Sequence, residues 1–241
     1  MALYNKSVTT IKKKKEADKM GFAILSAGLG ARIKTYEPRS LLKINGKTLI
    51  ERQVSAINNN FNDPEIIGVF GPGVNKISKT MLGKIRIVEN QNYESTNNSE
   101  SLRLAINNCL TKSIMFFHGD ILFTNGLFES LDFNKSFILY EDRGMIDEKE
   151  IGVTVINNNA TILSYGLEDK WCQIAYLHKR ELKILRNIFS NFTKHDKKML
   201  TFEIINKIIE LGGSFQAKKL DRAKIVEIDC IKDIKNENFN F

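Results

Sequence analysis

The chain reads as an α/β protein, an α/β/α sandwich around a mostly parallel central sheet. Three observations predict this. Short apolar, β-rich runs alternate with amphipathic helical patterns from residue 22 onward, as they do where strands are joined by crossover helices. The first of these runs ends in the glycine-rich turn Gly28-Leu29-Gly30, which sets bare backbone N–H groups at the end of a buried strand. A length of 241 residues, 42% apolar and 27% charged, suits one sizeable core.

The elements follow in order. The strand candidates are 22–26, 65–70, 84–89, 113–118, 135–140, 151–156, 161–165, 171–177 and 223–228. Helical patterning marks 47–60, 72–81, 98–110, 178–192, 200–211 and 230–235. In the helix at 200–211, Leu200, Ile204, Ile205, Ile208 and Leu211 share one face, and Gly212-Gly213 stops it. Asn157-Asn158-Asn159 lies between two strand runs and reads as a hairpin turn, because Asn tolerates positive φ. No repeat or low-complexity linker interrupts residues 21–241, so a single domain is expected behind a basic arm at 1–20.

That arm holds six lysines against two acids, a surplus of four that is half of the chain's net +8. No aromatic residue interrupts the lysine run at 12–15, so stacking on single-stranded nucleic acid is not expected. No apolar run approaches the roughly 18 residues that span a bilayer, and no apolar signal-peptide core is visible at the N-terminus. Cys109, Cys172 and Cys230 are far apart and lack metal-type spacing. A cytoplasmic protein with reduced thiols and no membrane partner is the expectation.

Four segments carry chemistry. Ser26-Ala27-Gly28-Leu29-Gly30 is followed by Arg32, whose planar fork of donors matches a phosphate. The dinucleotide-binding pattern would need a third glycine where Ile33 stands, which disfavours a dehydrogenase. Ile114-Met-Phe-Phe-His-Gly-Asp120 is an apolar strand ending in a carboxylate, placed where a parallel strand meets a binding crevice and suited to Mg²⁺. The polar stretch around Asn97, Asn98 and Ser101 precedes a helix; its side chains serve equally as N-caps and as partners for a base edge. Lys170-Trp171 pairs a cation with the only tryptophan, a combination that suits a phosphate, or a quaternary ammonium through cation–π attraction, or a plain core anchor.

The ordered pair Ala-Gly28-Leu-Gly30-Ala-Arg32 and Pro38-Arg39-Ser-Leu-Leu-Lys43-Ile-Asn-Gly-Lys-Thr-Leu-Ile50 resembles the nucleotidyltransferase family, both its sugar-1-phosphate members and its phosphocholine cytidylyltransferase-like branch. Arg39 stands where that family usually has lysine. The segment Asn90…Tyr93…Thr96-Asn97-Asn98…Ser101-Leu102 is similar to the phosphocholine branch, while the Gln-Gly-x-Ala segment of the sugar enzymes is absent. The resemblance implies a Rossmann-like sandwich of the nucleotide-diphospho-sugar transferase type. It implies a loop of Ser26, Ala27, Gly28, Leu29 and Gly30 around an NTP, with Asn97, Asn98 and Ser101 at its base or ribose.

The same resemblance implies that Arg32, Arg39 and Lys43 offset phosphate charge. It makes Asp120 and Asp229 hold Mg²⁺ as cofactor, and Lys170 and Trp171 meet a phosphorylated acceptor. Asp233 then caps or pairs locally, and Glu227 competes with Asp229. The implied reaction joins an NTP, CTP or UTP/dTTP favoured, to a sugar 1-phosphate or phosphocholine, with release of pyrophosphate. Two alternatives stand beside it. A GT-A-like glycosyltransferase would want an Asp-x-Asp motif, but position 118 is His. A non-catalytic nucleotide binder would fit the Arg39 substitution, but not the retained aspartates.

Overall fold

The computed structural model describes residues 19–28, 38–142, 147–220 and 225–228. Its elements in chain order are β1 (Gly21–Ser26), β2 (Lys43–Ile44), β3 (Lys47–Thr48), α1 (Leu49–Asn60), β4 (Glu65–Phe70), α2 (Val74–Met81), β5 (Arg86–Glu89), α3 (Asn98–Asn107), β6 (Ile114–His118) and β7 (Ile121–Phe123). They continue with β8 (Phe137–Asp142), β9 (Ile151–Ile156), β10 (Asn159–Tyr165), β11 (Asp169–Leu177), α4 (Lys179–Ser190), α5 (Thr201–Glu210), β12 (Phe215–Lys219) and β13 (Ile225–Glu227). The helix expected at 230–235 lies outside the described residues.

The main sheet has nine strands in the order β5-β4-β1-β6-β11-β8-β12-β10-β9. Its first four strands are mutually parallel. Beyond β6 it changes character: β11 runs antiparallel to β6, β8 and β9, and β10 runs antiparallel to β9 and β12. Only the β8–β12 pairing there is parallel. The sheet is therefore mixed, and the mostly parallel expectation is corrected. A run of apolar residues fixes that a strand is buried but carries no record of its direction.

Period-two alternation divides the core between the two sheet faces. On β1, Ala23 and Leu25 face α3, α4 and α5, while Phe22 and Ile24 face α1 and α2. On β6, Ile114 and Phe116 join the first cluster, and Met115 and Phe117 the second. Leu102 and Ile106 of α3, Leu182 and Leu185 of α4, and Ile204 and Ile208 of α5 close one side; Ile50, Val54 and Ile57 of α1 and Ile77 of α2 close the other. The sandwich is three layers deep.

Local chemistry sets the element ends. Asn45 and Gly46 have φ of 47° and 80°, so they turn β2 back on β3 as Asn-Gly hairpins do. The helix expected from residue 47 consequently starts at Leu49, where Thr48 and Glu51 form a reciprocal capping box. Asn157 and Asn158 have φ of 50° and 62° and form the turn between β9 and β10. In α5 the Glu203 carboxylate accepts the Leu200 backbone N–H at 2.6 Å.

β1, α1, β4, α2 and β5 wind outward in one direction, and α3 then carries the chain back to β6 on the other side of β1. The winding reverses between β1 and β6. In an open sheet, a crevice outside the C-terminal ends of the strands is expected at that point.

Candidate active site

A cleft opens at that reversal, in two lobes. The nucleotide-side lobe, about 190 Å³, is lined by Ser26, Ala27 and Gly28 after β1, by Asn90 after β5, by Thr96, Asn97, Asn98 and Ser101 at the start of α3, and by His118, Gly119 and Asp120 after β6. The second lobe, about 760 Å³, is lined by Lys149, Glu150, Tyr165, Lys170, Trp171, Gln173, Thr201, Phe202 and Glu227. Arg39, Asn98, His118 and Asp120 border both lobes.

Close backbone contact shapes the floor. The Gly119 N–H donates to the Leu25 carbonyl at 2.8 Å. A Cβ at Gly119 would lie 2.4 Å from both Cβ and Oγ of Ser26, so only glycine lets the exits of β1 and β6 meet here.

Asp120 sits where the lobes join. Its Oδ2 accepts from Arg39 Nη1 at 2.7 Å, with both side chains 19% exposed. Its Oδ1 is buried and has no hydrogen-bond partner among the described residues. Burial pushes the carboxyl upward from its ordinary value, His118 opposes that, Glu227 adds to it, and Arg39 opposes it. An orphaned, buried carboxylate oxygen is costly and is the hard donor that a Mg²⁺ ion takes, so the residues present fit the expected metal. Among the described residues no cluster of three or more His, Cys, Asp or Glu forms a complete metal cage. Asp229, the other expected ligand, lies outside the described residues. The residue before it, Ile228, donates its N–H to the Asp120 carbonyl at 2.8 Å.

The wall between the lobes is a hydrogen-bonded bracket. Asn98 Oδ1 accepts the Thr201 N–H at 2.8 Å. That contact fixes the amide orientation and turns Nδ2 toward His118 Nε2, 3.2 Å away. Thr201 Oγ1 lies 3.2 Å from the same nitrogen. The first N–H groups of α3 are taken within the protein: that of Asn98 by Asn97 Oδ1 and that of Ser99 by the Met199 carbonyl. Asn90, 2% exposed, donates to Thr96 Oγ1 and Ser101 Oγ and braces the base of the nucleotide-side lobe.

In the second lobe, Lys170 is 8% exposed. Its ammonium bonds Glu150 and, at 3.3 Å, Glu227. Burial pushes Glu227 upward, but Lys170 and a hydrogen bond from Gln173 outweigh it, and the carboxyl sits below its ordinary value. Trp171 is 2% exposed, and its indole N–H donates to the Ile174 carbonyl at 3.1 Å. The aromatic wall of the lobe is instead Tyr165 packed edge-on against Phe202, with ring centroids 5.7 Å apart.

The expected site residues thus separate. Ser26, Ala27, Gly28, Arg39, Asn97, Asn98, Ser101 and Asp120 come together in the first lobe, and Lys170 and Trp171 border the second. Lys43 is exposed on β2 and lines neither lobe. Leu29, Gly30, Arg32 and Asp233 lie outside the described residues. Asn90, Thr201, Gln173 and Glu150 were not legible as site residues. Asn90 alone left a trace, being in the polar run before α3.

Residues 22–131 match the family model of the MobA-like NTP transferase domain. No curated protein matches the chain by sequence. Several solved structures share the whole fold. The CTP:phosphocholine cytidylyltransferase of Streptococcus pneumoniae superposes with a TM-score of 0.75 at 18% identity, over 90% of this chain and 96% of its own. The inositol-1-phosphate CTP transferase of T. maritima gives 0.73 at 17% identity, over 90% and 91%. A putative glucose-1-phosphate thymidylyltransferase of Bacillus anthracis gives 0.72 at 11% identity, over 92% and 98%. Residues 22–131 thus carry the match to a MobA-like NTP transferase domain, and the chain as a whole has the fold of these nucleotidyltransferases.

Proposed function

We propose that this protein transfers a nucleotidyl group from a pyrimidine NTP, CTP first, to a phosphorylated amino alcohol of the phosphocholine type, with Mg²⁺ as cofactor. The observation that carries the choice of acceptor is the lining of the second lobe. Asp120, Asp147, Glu150 and Glu227 line it with Arg39, Lys149 and Lys170, beside the Tyr165–Phe202 wall, and Lys170 is already bonded to Glu150 and Glu227. Carboxylates with aromatic faces suit a quaternary ammonium. A hexose would instead call for neutral donors and acceptors around its hydroxyls. The small nucleotide-side lobe favours a one-ring base, and the described structural neighbours include two proteins whose names give CTP as substrate.

In this reading an oxygen of the acceptor phosphate attacks the α-phosphorus of the NTP. The bond from that phosphorus to the bridging oxygen breaks, and pyrophosphate leaves. A phosphate monoester is largely dianionic at pH 7, its second pKa being about 6, so the attacking oxygen needs no general base. Bound Mg²⁺ supplies charge neutralisation at the reacting phosphates. Asp120 would hold it through Oδ1, with Asp229 as second ligand, while Arg39 fixes the carboxylate through Oδ2. Gly28, Leu29, Gly30 and Arg32 take the triphosphate, and Asn97, Asn98 and Ser101 border base and ribose. Lys170 is already shared by two carboxylates; it anchors these for the acceptor's cation and does not present a bare charge to phosphate. Lys43, off the cleft, has no direct part.

The test crosses CTP, UTP, dTTP, GTP and ATP with phosphocholine, phosphoethanolamine and hexose 1-phosphates, reading pyrophosphate release. The expected result is a kcat/KM for CTP with phosphocholine at least tenfold above any hexose pair. A hexose 1-phosphate served equally well would refute the acceptor assignment.

A further inference from the structure

β11 is interrupted at its middle. Against β8 its register passes from Trp171 opposite Tyr140 to Ala175 opposite Ile138. Four steps on β11 face two on β8, a bulge with two extra residues. Before the bulge β11 pairs with β9 through Asp169 and Lys170; after it, β11 pairs with β6 from Ile174 on. The strand changes partner where β6 ends at His118.

Inside the bulge Gln173 has φ +58°. That left-handed conformation is strained for a residue with a Cβ and is adopted freely by glycine. Strain of this kind gathers where a side chain is held for a task. Two contacts show what is held. The Trp171 indole N–H bonds the Ile174 carbonyl and braces the bulge from the core side. On the cleft side Gln173 lines the second lobe and the small pocket beside it together with Glu227 and Lys170, and Lys170 bonds Glu227.

We propose that Gln173 is a positioning residue for the acceptor: the bulge holds its backbone left-handed so that its amide, together with Lys170, fixes Glu227 where the acceptor's head group meets it. This rests on the acceptor reading above. Without the amide, Glu227 keeps only Lys170 of these two partners, and its carboxylate is free to swing toward the Asp120 side of the cleft.

Gln173→Gly separates the strain from the amide. The glycine variant should unfold at the same or a higher temperature than the wild type, since its backbone fits, yet its KM for phosphocholine should rise about tenfold, the size of one lost hydrogen bond to a charged group. KM for CTP should change less than twofold. Gln173→Asn tolerates the same backbone and keeps a shorter amide, so it should recover part of the acceptor KM. An active wild type with an unchanged acceptor KM in Gln173→Gly would overturn the positioning role alone. Equal rises in both KM values would also overturn it, by showing general damage to the cleft. A wild type inert toward every phosphorylated amino alcohol would overturn the functional reading and this inference with it.

Discussion

The two halves of the sheet reach the same cleft by different means. β5, β4, β1 and β6 are parallel, and their C-terminal ends deliver Ser26, Asn90, His118 and Asp120 to one edge by topology alone. The half from β11 to β9 is largely antiparallel, so its strands end alternately at the cleft and away from it. It brings side chains to the second lobe through a bulge, a buried lysine clamp and the start of α5. The family match stops at residue 131, before this half begins. On the proposed function, nucleotidyl transfer rests on topology, whereas the choice of acceptor rests on local devices that a few substitutions would change.

Breaking the seam between the halves should have the largest effect. Asp120→Ala removes the carboxylate at the junction and should lower the rate of pyrophosphate release about 10²–10⁴-fold. Chelation of divalent cations should do the same to the wild type. Burial raises the Asp120 pKa above the ordinary 3.8, so protons compete with a cation at a higher pH than at a free aspartate. Activity should therefore fall as pH drops through that raised value. Because burial outweighs the Arg39 pair, the sign for stability is the reverse of that for an acid whose pKa is lowered on folding. With its folded pKa above its unfolded one, Asp120 costs nothing while protonated in both states, and its ionised form destabilises the fold as pH rises past that window. Added Mg²⁺ should consequently raise the Tm at neutral pH, and a pH series of melting curves checks it.

Perturbing the mixed half comes next. Lys170→Met leaves Glu150 and Glu227 without their shared cation. The expected loss is about 3 kcal/mol of stability, at the low end for buried pairs because both carboxylates are partly solvated. Urea unfolding measures it. The KM for the acceptor should rise while that for CTP holds. A parallel rise in both would erase the division of labour between the halves.

The smallest effect belongs to the parallel half. Thr48→Ala deletes the capping box of α1, where Thr48 Oγ1 and Glu51 exchange hydrogen bonds. It should cost about 1 kcal/mol and leave both KM values unchanged, since α1 lies behind the sheet.

How much was legible in the sequence follows the same division. The strands expected at 22–26, 65–70 and 113–118 match β1, β4 and β6 to within a residue, because a strand buried on both faces must be a continuous apolar run. β12, Phe-Gln-Ala-Lys-Lys, went unseen: Lys218 lies over the Phe137 ring and Lys219 pairs with Asp142, so tertiary partners stabilise a strand whose own pattern is polar. The Asn45-Gly46 hairpin signal was present but went unread, and β3 was absorbed into the helix expected from residue 47. At the site, Asp120 and the glycine turn stood out because chemistry and position coincide in one segment. The Arg39–Asp120 pair joins residues 81 apart, and the Asn98–Thr201 contact joins residues 103 apart; no local pattern records either. Trp171 read equally as a ligand platform and as a core anchor, because its burial cannot be read from spacing.

The central claim is that Asp120 holds the metal where the two lobes meet. The most direct measurement is Mn²⁺ binding by electron paramagnetic resonance in the presence of a non-hydrolysable CTP analogue, for the wild type and Asp120→Asn. The account predicts one tightly bound Mn²⁺ per wild-type chain and its loss in the variant. Equal binding by both proteins would contradict it.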